Sequence, residues 1–160
     1  MRAVLALPLL LLAACDLPRD TEGTSERVVS VPGRQGDLRM GLVSGSSPRP
    51  DALVASIGTE TRARILLQDG ASETLLARLE AGELDVVVGA FDARSPWNAR
   101  VTFSKPLTRK GLVETKAAVR SGEHRWAMLV DRAVERAPGI DLTRPHVGFI
   151  EPDGPTEAAR

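Results

Sequence analysis

The chain has 160 residues, with Lys plus Arg and Asp plus Glu each numbering 21, so its formal charge is zero. That length suits one domain with a modest core, and the charge balance lacks the basic excess that phosphate-neutralising nucleic-acid binders carry. Tyr is absent and five other aromatics (Phe91, Phe103, Phe149, Trp97 and Trp126) are spread along the chain, which argues against a base-stacking platform. A single Cys and two distant His residues exclude an internal disulfide and give no basis for a Cys-rich metal site or a metal cofactor.

The first fifteen residues form a unit of their own. Arg2 is their only charge, and an apolar run over 4–12 is broken once, at Pro8. A helix of that length reaches about half of the ~30 Å hydrocarbon core, which predicts a signal-peptide core and not a permanent span. The run ends Leu12-Ala13-Ala14-Cys15, which resembles the lipobox of bacterial lipoproteins. In that family the Cys is diacylated and becomes the first residue of the mature chain, so Cys15 is the expected lipidation site and a bacterial membrane the expected location, facing the periplasm or cell exterior. An ordinary signal cleaved after the Ala pair would instead leave Cys15 as a free thiol. Asp16 resembles the signal that keeps some proteobacterial lipoproteins in the inner membrane, a rule that varies between bacteria. Residues 15–36 are polar with no sustained period, and predict a flexible tether; within them Val28-Val29-Ser30-Val31 is a candidate edge strand.

Residues 38–43 alternate and then break at Ser44-Gly45-Ser46-Ser47-Pro48, a strand opening into a loop. Asp51 is a candidate cap for a short helix over 51–57. A strand follows over 64–68. Ser72 is a candidate cap for a helix over 72–81 with Leu75, Leu76 and Leu79 on one face and Gly82 as its stop. Residues 84–89 are nearly all apolar, the signature of a strand buried on both faces. Residues 113–119 form a weaker strand. A helix over 123–137 carries Trp126, Leu129, Val130, Ala133 and Val134 as one stripe and ends at Pro138-Gly139. Residues 138–160 read as a loose tail. Strands alternating with helices predict an α/β domain with a mostly parallel sheet.

Two segments resemble the extracellular solute-binding proteins of family 3, which serve importers of amino acids and other small solutes. The first is Leu75-Leu76-Ala77-Arg78-Leu79-Glu80-Ala81-Gly82-Glu83-Leu84-Asp85-Val86-Val87-Val88-Gly89, similar to the family's helix ending in Leu-x-x-Gly, acidic turn, Asp and apolar strand. The second is Arg100-Val101-Thr102-Phe103-Ser104-Lys105-Pro106-Leu107, similar to its Phe-Ser-x-Pro-aromatic segment, with Leu107 in place of the aromatic. The resemblance covers about residues 37–137 and implies a single lobe of a type II periplasmic-binding-protein-like fold. Family members have two lobes and well over 200 residues, so the second lobe is missing here. Amino-acid-binding members place an Arg between the third strand and the Phe-Ser segment; aligned on Phe103 that place falls on Trp97, flanked by Arg94 and Arg100, so amino-acid binding does not carry over directly.

Open parallel sheets bind ligands beyond the C-terminal ends of their strands. Those ends nominate Ser44 and Ser46 after the first strand, Ser72 at a helix N-terminus, and Arg94, Ser95 and Trp97 after the third. Arg94 offers a planar fork to a carboxylate or phosphate, with Trp97 as a cover. Trp126 and Phe103 fit core positions, and Asp85 fits an organiser of the turn it heads. His124 is expected to be solvated. No Gly-x-Ser-x-Gly elbow, P-loop, His-Glu-x-x-His motif or acid/base pair points to catalysis. Two functions stay open: recognition of a small solute, anionic or amino-acid-like, alone, with an importer permease, or with a second lobe in trans; or an interaction or structural lipoprotein that keeps the fold without a solute.

Overall fold

The computed structural model describes residues 20–46 and 50–138. The expected signal segment, Cys15 and most of the expected C-terminal tail, His146 and Phe149 included, lie outside the described residues. The elements, in chain order, are α1 (Thr24–Val28), β1 (Asp37–Val43), α2 (Asp51–Thr61), β2 (Arg64–Gly70), α3 (Ser72–Glu80), β3 (Val86–Asp92), β4 (Val101–Phe103), β5 (Thr108–Lys110), β6 (Val113–Arg120) and α4 (His124–Arg136). Among the described residues no helix is long and apolar enough to cross a membrane.

The six strands form one sheet of order β2-β1-β3-β6-β4, with β5 also on β6. β1 pairs in parallel with β2 and with β3, as the alternation of strands and helices requires. β6 is antiparallel to β3, β4 and β5. Five strands therefore share one direction and β6 alone opposes them, which makes the sheet mixed, with its parallel ladders confined to β1, β2 and β3. The reversal follows from the hairpin that joins β5 to β6 through Gly111 and Leu112, since a two-residue connection permits only antiparallel pairing.

Alternation along the strands splits the core in two. On one face Leu38, Met40, Val86, Val88, Ala117 and Val119 meet Leu53 and Ile57 of α2 and the α4 stripe of Trp126, Leu129, Val130, Ala133 and Val134. On the other, Val43, Val87 and Ala118 meet Leu75, Leu76 and Leu79 of α3, together with Phe91, Trp97 and Val101. The Leu and Trp126 periodicities thus translate directly into the two helix layers. Gly82, at φ 77, takes the left-handed conformation that closes α3, and its N–H donates to the Leu79 carbonyl. Ser72 and Asp51 are the first helical residues and do not cap; Ala71 and Pro50 hold the cap positions, without side-chain bonds. One-residue shifts of this kind are inherent to reading helix ends from sequence.

The expected tether is corrected over residues 20–36. Val28 is fully buried in the α4-side core, and Thr24 and Ser25 are buried beside it. Asp20 accepts from the backbone N–H of Trp126 (2.8 Å) and of Ser25 (2.8 Å), while the Glu123 carboxylate accepts from the N–H of Glu22 (2.7 Å) and Thr24 (3.1 Å). Each carboxylate satisfies orphan donors at the start of a helix, so the segment docks although its composition is polar. Nor do residues 28–31 add a strand. Val28 closes α1, and Val31 forms an isolated bridge with Arg34. Asp85 organises more than its own turn: its carboxylate, 1% exposed, pairs with Arg27 (2.5 Å) and Arg39 (2.6 Å), and its carbonyl accepts from Trp126 Nε1 (2.7 Å). Burial pushes this carboxyl up, but hydrogen bonds from Arg39 and Arg27 outweigh that and hold it below the usual Asp value.

Candidate functional site

A hollow of about 520 Å³ opens where β3 ends, beside the start of α3. Its wall combines Ser72 and Glu73 from α3, Phe91 and Asp92 from β3, Arg94 and Ser95 from the loop that follows, and Leu112 from the β5–β6 hairpin. It lies at the C-terminal ends of the parallel strands, because β2 leads through Ala71 into α3 and β1 is neighbour to both β2 and β3. Of the six nominated residues, Ser72, Arg94 and Ser95 line it and Ser44, Ser46 and Trp97 do not.

Arg94 is exposed, and its guanidinium has no ion pair among the described residues; its backbone N–H donates to Asp92 Oδ1 (2.7 Å). That bond turns the chain sharply after β3 and keeps the Asp92 carboxylate at the same rim as the Arg94 side chain. Ser95 Oγ accepts from the Trp97 N–H (3.3 Å) and so caps the single 3-10 turn over Pro96–Ala99. Ser72 is half-buried at the first turn of α3, where the helix end is positive.

Trp97 plays a different part from the cover expected of it. It is 6% exposed and packed with the α3-side core. Its Nε1 donates to Glu73 Oε2 (2.6 Å), and the Arg100 guanidinium lies 4.3 Å over its ring. The apolar ring is buried in the same cluster as Leu76 and Val101, so it supports the wall and does not cover the opening. Ser46 is also committed: its Oγ donates to the Val43 carbonyl (2.9 Å) and accepts from the Ala90 N–H (3.0 Å), stitching the β1 loop to β3. Ser44 is exposed, with its N–H on the Gly70 carbonyl (2.9 Å).

The two acids of the hollow, Glu73 and Asp92, were not among the nominated residues. Their sequence signal was their place, one directly after Ser72 and one two residues before Arg94. Next to the hollow, Glu114 sits opposite Phe91 in the β3–β6 register and binds Lys116 (2.9 Å) and Arg109. Lys116 is 4% exposed and lies 4.2 Å from the centre of the Phe103 ring, which packs 5.1 Å from Phe91. Burial raises the Glu114 carboxyl, and Lys116 and Arg109 together bring it below its ordinary value. That cluster is internally satisfied and does not itself line the hollow. Among the described residues no group of three His, Cys, Asp or Glu is placed to hold a metal ion.

Comparison with solved structures gives the class to which this architecture corresponds. The chain is similar to the arginine-bound domain 1 of TmArgBP (Phe57Trp form), at 18% identity and TM-score 0.56, over 62% of this chain and 90% of that one. It is also similar to an amino acid ABC transporter substrate-binding protein from Streptococcus pneumoniae bound to L-arginine (10% identity, TM-score 0.56, 70% of this chain and 90% of that one). A third is the Salmonella typhimurium periplasmic binding protein STM4351, described for high arginine specificity (11% identity, TM-score 0.53, 62% and 92%). The fold is therefore that of one lobe of an amino acid ABC transporter substrate-binding protein. No family model matches the sequence, and no curated protein matches it.

Proposed function

We propose that this chain is a membrane-anchored, non-catalytic lobe that recognises a small amino-acid-like solute on the outer side of a bacterial membrane, in connection with transport. The observation that carries the reading is the hollow, where an uncommitted Arg94 faces Glu73 and Asp92 at the start of a helix. A cationic fork with a positive helix end suits a carboxylate, and two carboxylates beside it suit an ammonium or guanidinium. Mixed charge favours a zwitterion over a simple anion. The arginine-bound single domain of TmArgBP is a precedent, in the same fold, for one lobe carrying an amino acid. The Arg that the family resemblance would have placed at position 97 is supplied from position 94.

One lobe leaves the far side of a ligand in water, where charge pairs are screened. Affinity for the lobe alone is then weak, roughly millimolar to high micromolar, or about −4 to −6 kcal/mol. Leu112 and Val113, 49% and 48% exposed beside the opening, favour a covering surface supplied by a second lobe in trans or another protein. The interaction reading shares that surface but has no use for Arg94.

Calorimetry of the purified protein against arginine, glutamate and uncharged amino acids tests the proposal. Weak binding that Arg94→Ala lowers by about fivefold is expected; no binding by any of them, with a protein captured at Leu112, selects the interaction reading. The anchor is tested separately, since Cys15→Ser should release the protein from membranes or leave an unprocessed precursor.

A further inference from the structure

The two ends of the sheet are not equivalent with respect to the anchor. Asp20 is held at the end opposite the hollow: it bonds the α4 N-terminus, while Thr21 bonds Gly122 (N–H 3.3 Å, hydroxyl 3.0 Å) just beyond the last residue of β6. Because β6 runs against β3, that exit point lies near Asp85, whereas the hollow lies near Asp92. Five peptide steps separate Asp20 from Cys15, and a fully extended chain spans at most ~3.6 Å per residue, or about 18 Å. A lobe of this size is about 30–35 Å across. A chain leaving from Asp20 therefore cannot pass around the lobe to bring the hollow down onto the surface that holds Cys15.

The surface at the anchored end is suited to lie on lipid. Val31 is 50% exposed at the base of the short loop that its bridge to Arg34 closes, with exposed Pro32 beside it at the tip. Arg34 is fixed there, its guanidinium donating to the carbonyls of Arg27 (2.7 Å), Val29 (2.7 Å) and Glu26 at the C-terminus of α1. The loop is tied to its neighbour through Ser30, whose N–H donates to the Thr61 carbonyl (3.0 Å) and whose hydroxyl donates to the Arg62 carbonyl (2.8 Å). Arg62 is exposed and has no ion pair among the described residues. An apolar tip flanked by two guanidiniums, neither paired with a carboxylate, matches the chemistry of a phospholipid headgroup layer.

We infer that the anchor at Cys15 and the docking of residues 20–36 hold the lobe in one orientation, with Val31, Arg34 and Arg62 against the bilayer and the hollow turned away from it. This rests on the lipidated reading of Cys15. The tether is the short arm of that geometry, so solute and any covering partner approach from the aqueous side or along the membrane-parallel flank.

The test uses the acylated protein reconstituted into vesicles of three parts phosphatidylcholine to one part phosphatidylglycerol. Cys15 is consumed by its lipid, so Val31→Cys or Leu112→Cys supplies the sole thiol for a fluorescent label. A water-soluble collisional quencher should reach the label at 31 at least threefold less well than the label at 112. A twenty-residue Gly/Ser insertion between Arg19 and Asp20 should bring the two close to equal. Equal quenching without the insertion, or greater shielding at 112, overturns the orientation. Failure of the protein to float with the vesicles overturns the anchor reading itself, and is seen before any quenching is measured.

Discussion

The two ends of the sheet use their charges differently, apart from the internally paired Glu114, Lys116 and Arg109 beside the hollow. At the end where β1 and β3 begin, Asp85 is closed by Arg27 and Arg39, Glu123 by the N–H groups of Glu22 and Thr24, and Asp20 by the N–H of Trp126. At the other end, among the described residues, Arg94 is exposed with no acid on its guanidinium, Asp92 is exposed, and the exposed Glu73 holds only the Trp97 indole. At the first end none of these carboxylates is left unpartnered, so removing a partner there would be strongly destabilising. The second keeps polar groups available, and a local deficit of pairing is what a binding surface needs. A polar composition alone does not separate the two cases; partners do.

If this division is right, substitutions at the closed end should cost stability and those at the open end should not. Trp126→Ala removes a fully buried ring and its bond to the Asp85 carbonyl, and should lower the unfolding free energy by about 3–5 kcal/mol in urea titration. Asp85→Asn should follow, at about 2 kcal/mol, less than for a wholly buried pair because Arg27 and Arg39 are 46% and 35% exposed.

The same residue sets a pH dependence. Its folded pKa is depressed, so its contribution is complete above the unfolded value of about 3.9 and is lost as pH falls through the lower folded value. Melting temperatures measured below about pH 4 should therefore fall less steeply in Asp85→Asn than in the parent. A steeper fall in the variant would place the acid-sensitive carboxylate elsewhere.

Gly89 sharpens the comparison from the middle of the sheet. A Cβ there would lie 2.4 Å from Val43 Cβ, so Gly89→Ala should cost ~1–3 kcal/mol by forcing β1 and β3 to shift. Because Ser46 ties the same strands together, solute binding should weaken with it. Arg94→Ala should move stability by no more than ~0.5 kcal/mol. Its effect should be confined to solute affinity, a loss of about 1 kcal/mol or some fivefold, read by calorimetry. A large stability loss in that variant would mean that the two ends do not differ as described.

How much of this was legible depended on whether a signal was periodic. The Leu75, Leu76 and Leu79 face, the Trp126 stripe and the apolar run before Gly89 each repeat at the spacing of their element, and all three elements are present. Residues 20–36 have no such period, since α1 is five residues long and only Val28 reaches the core, so nothing in the pattern announced that they dock. β5 is three exposed residues, too short to alternate, and with it the reversal of β6 was hidden.

The site divides in the same manner. That ligand chemistry would gather after β1, at the start of α3 and after β3 followed from strand order and the polarity of strand ends. Which side chains remain free there did not. Ser46 and Trp97 have the right chemistry and the right position in sequence, yet one is spent on the Ala90 N–H and the other turned into the core. Glu73 and Asp92 looked like ordinary surface acids until the turn at Arg94 and the first turn of α3 brought them to one wall. The longer elements and the end of the sheet at which to look could be read from the residues, because periodicity and strand polarity are local and additive. Which charges are saturated and which are offered came from the fold, because a hydrogen bond to one of these groups comes from a residue as far as a hundred positions away.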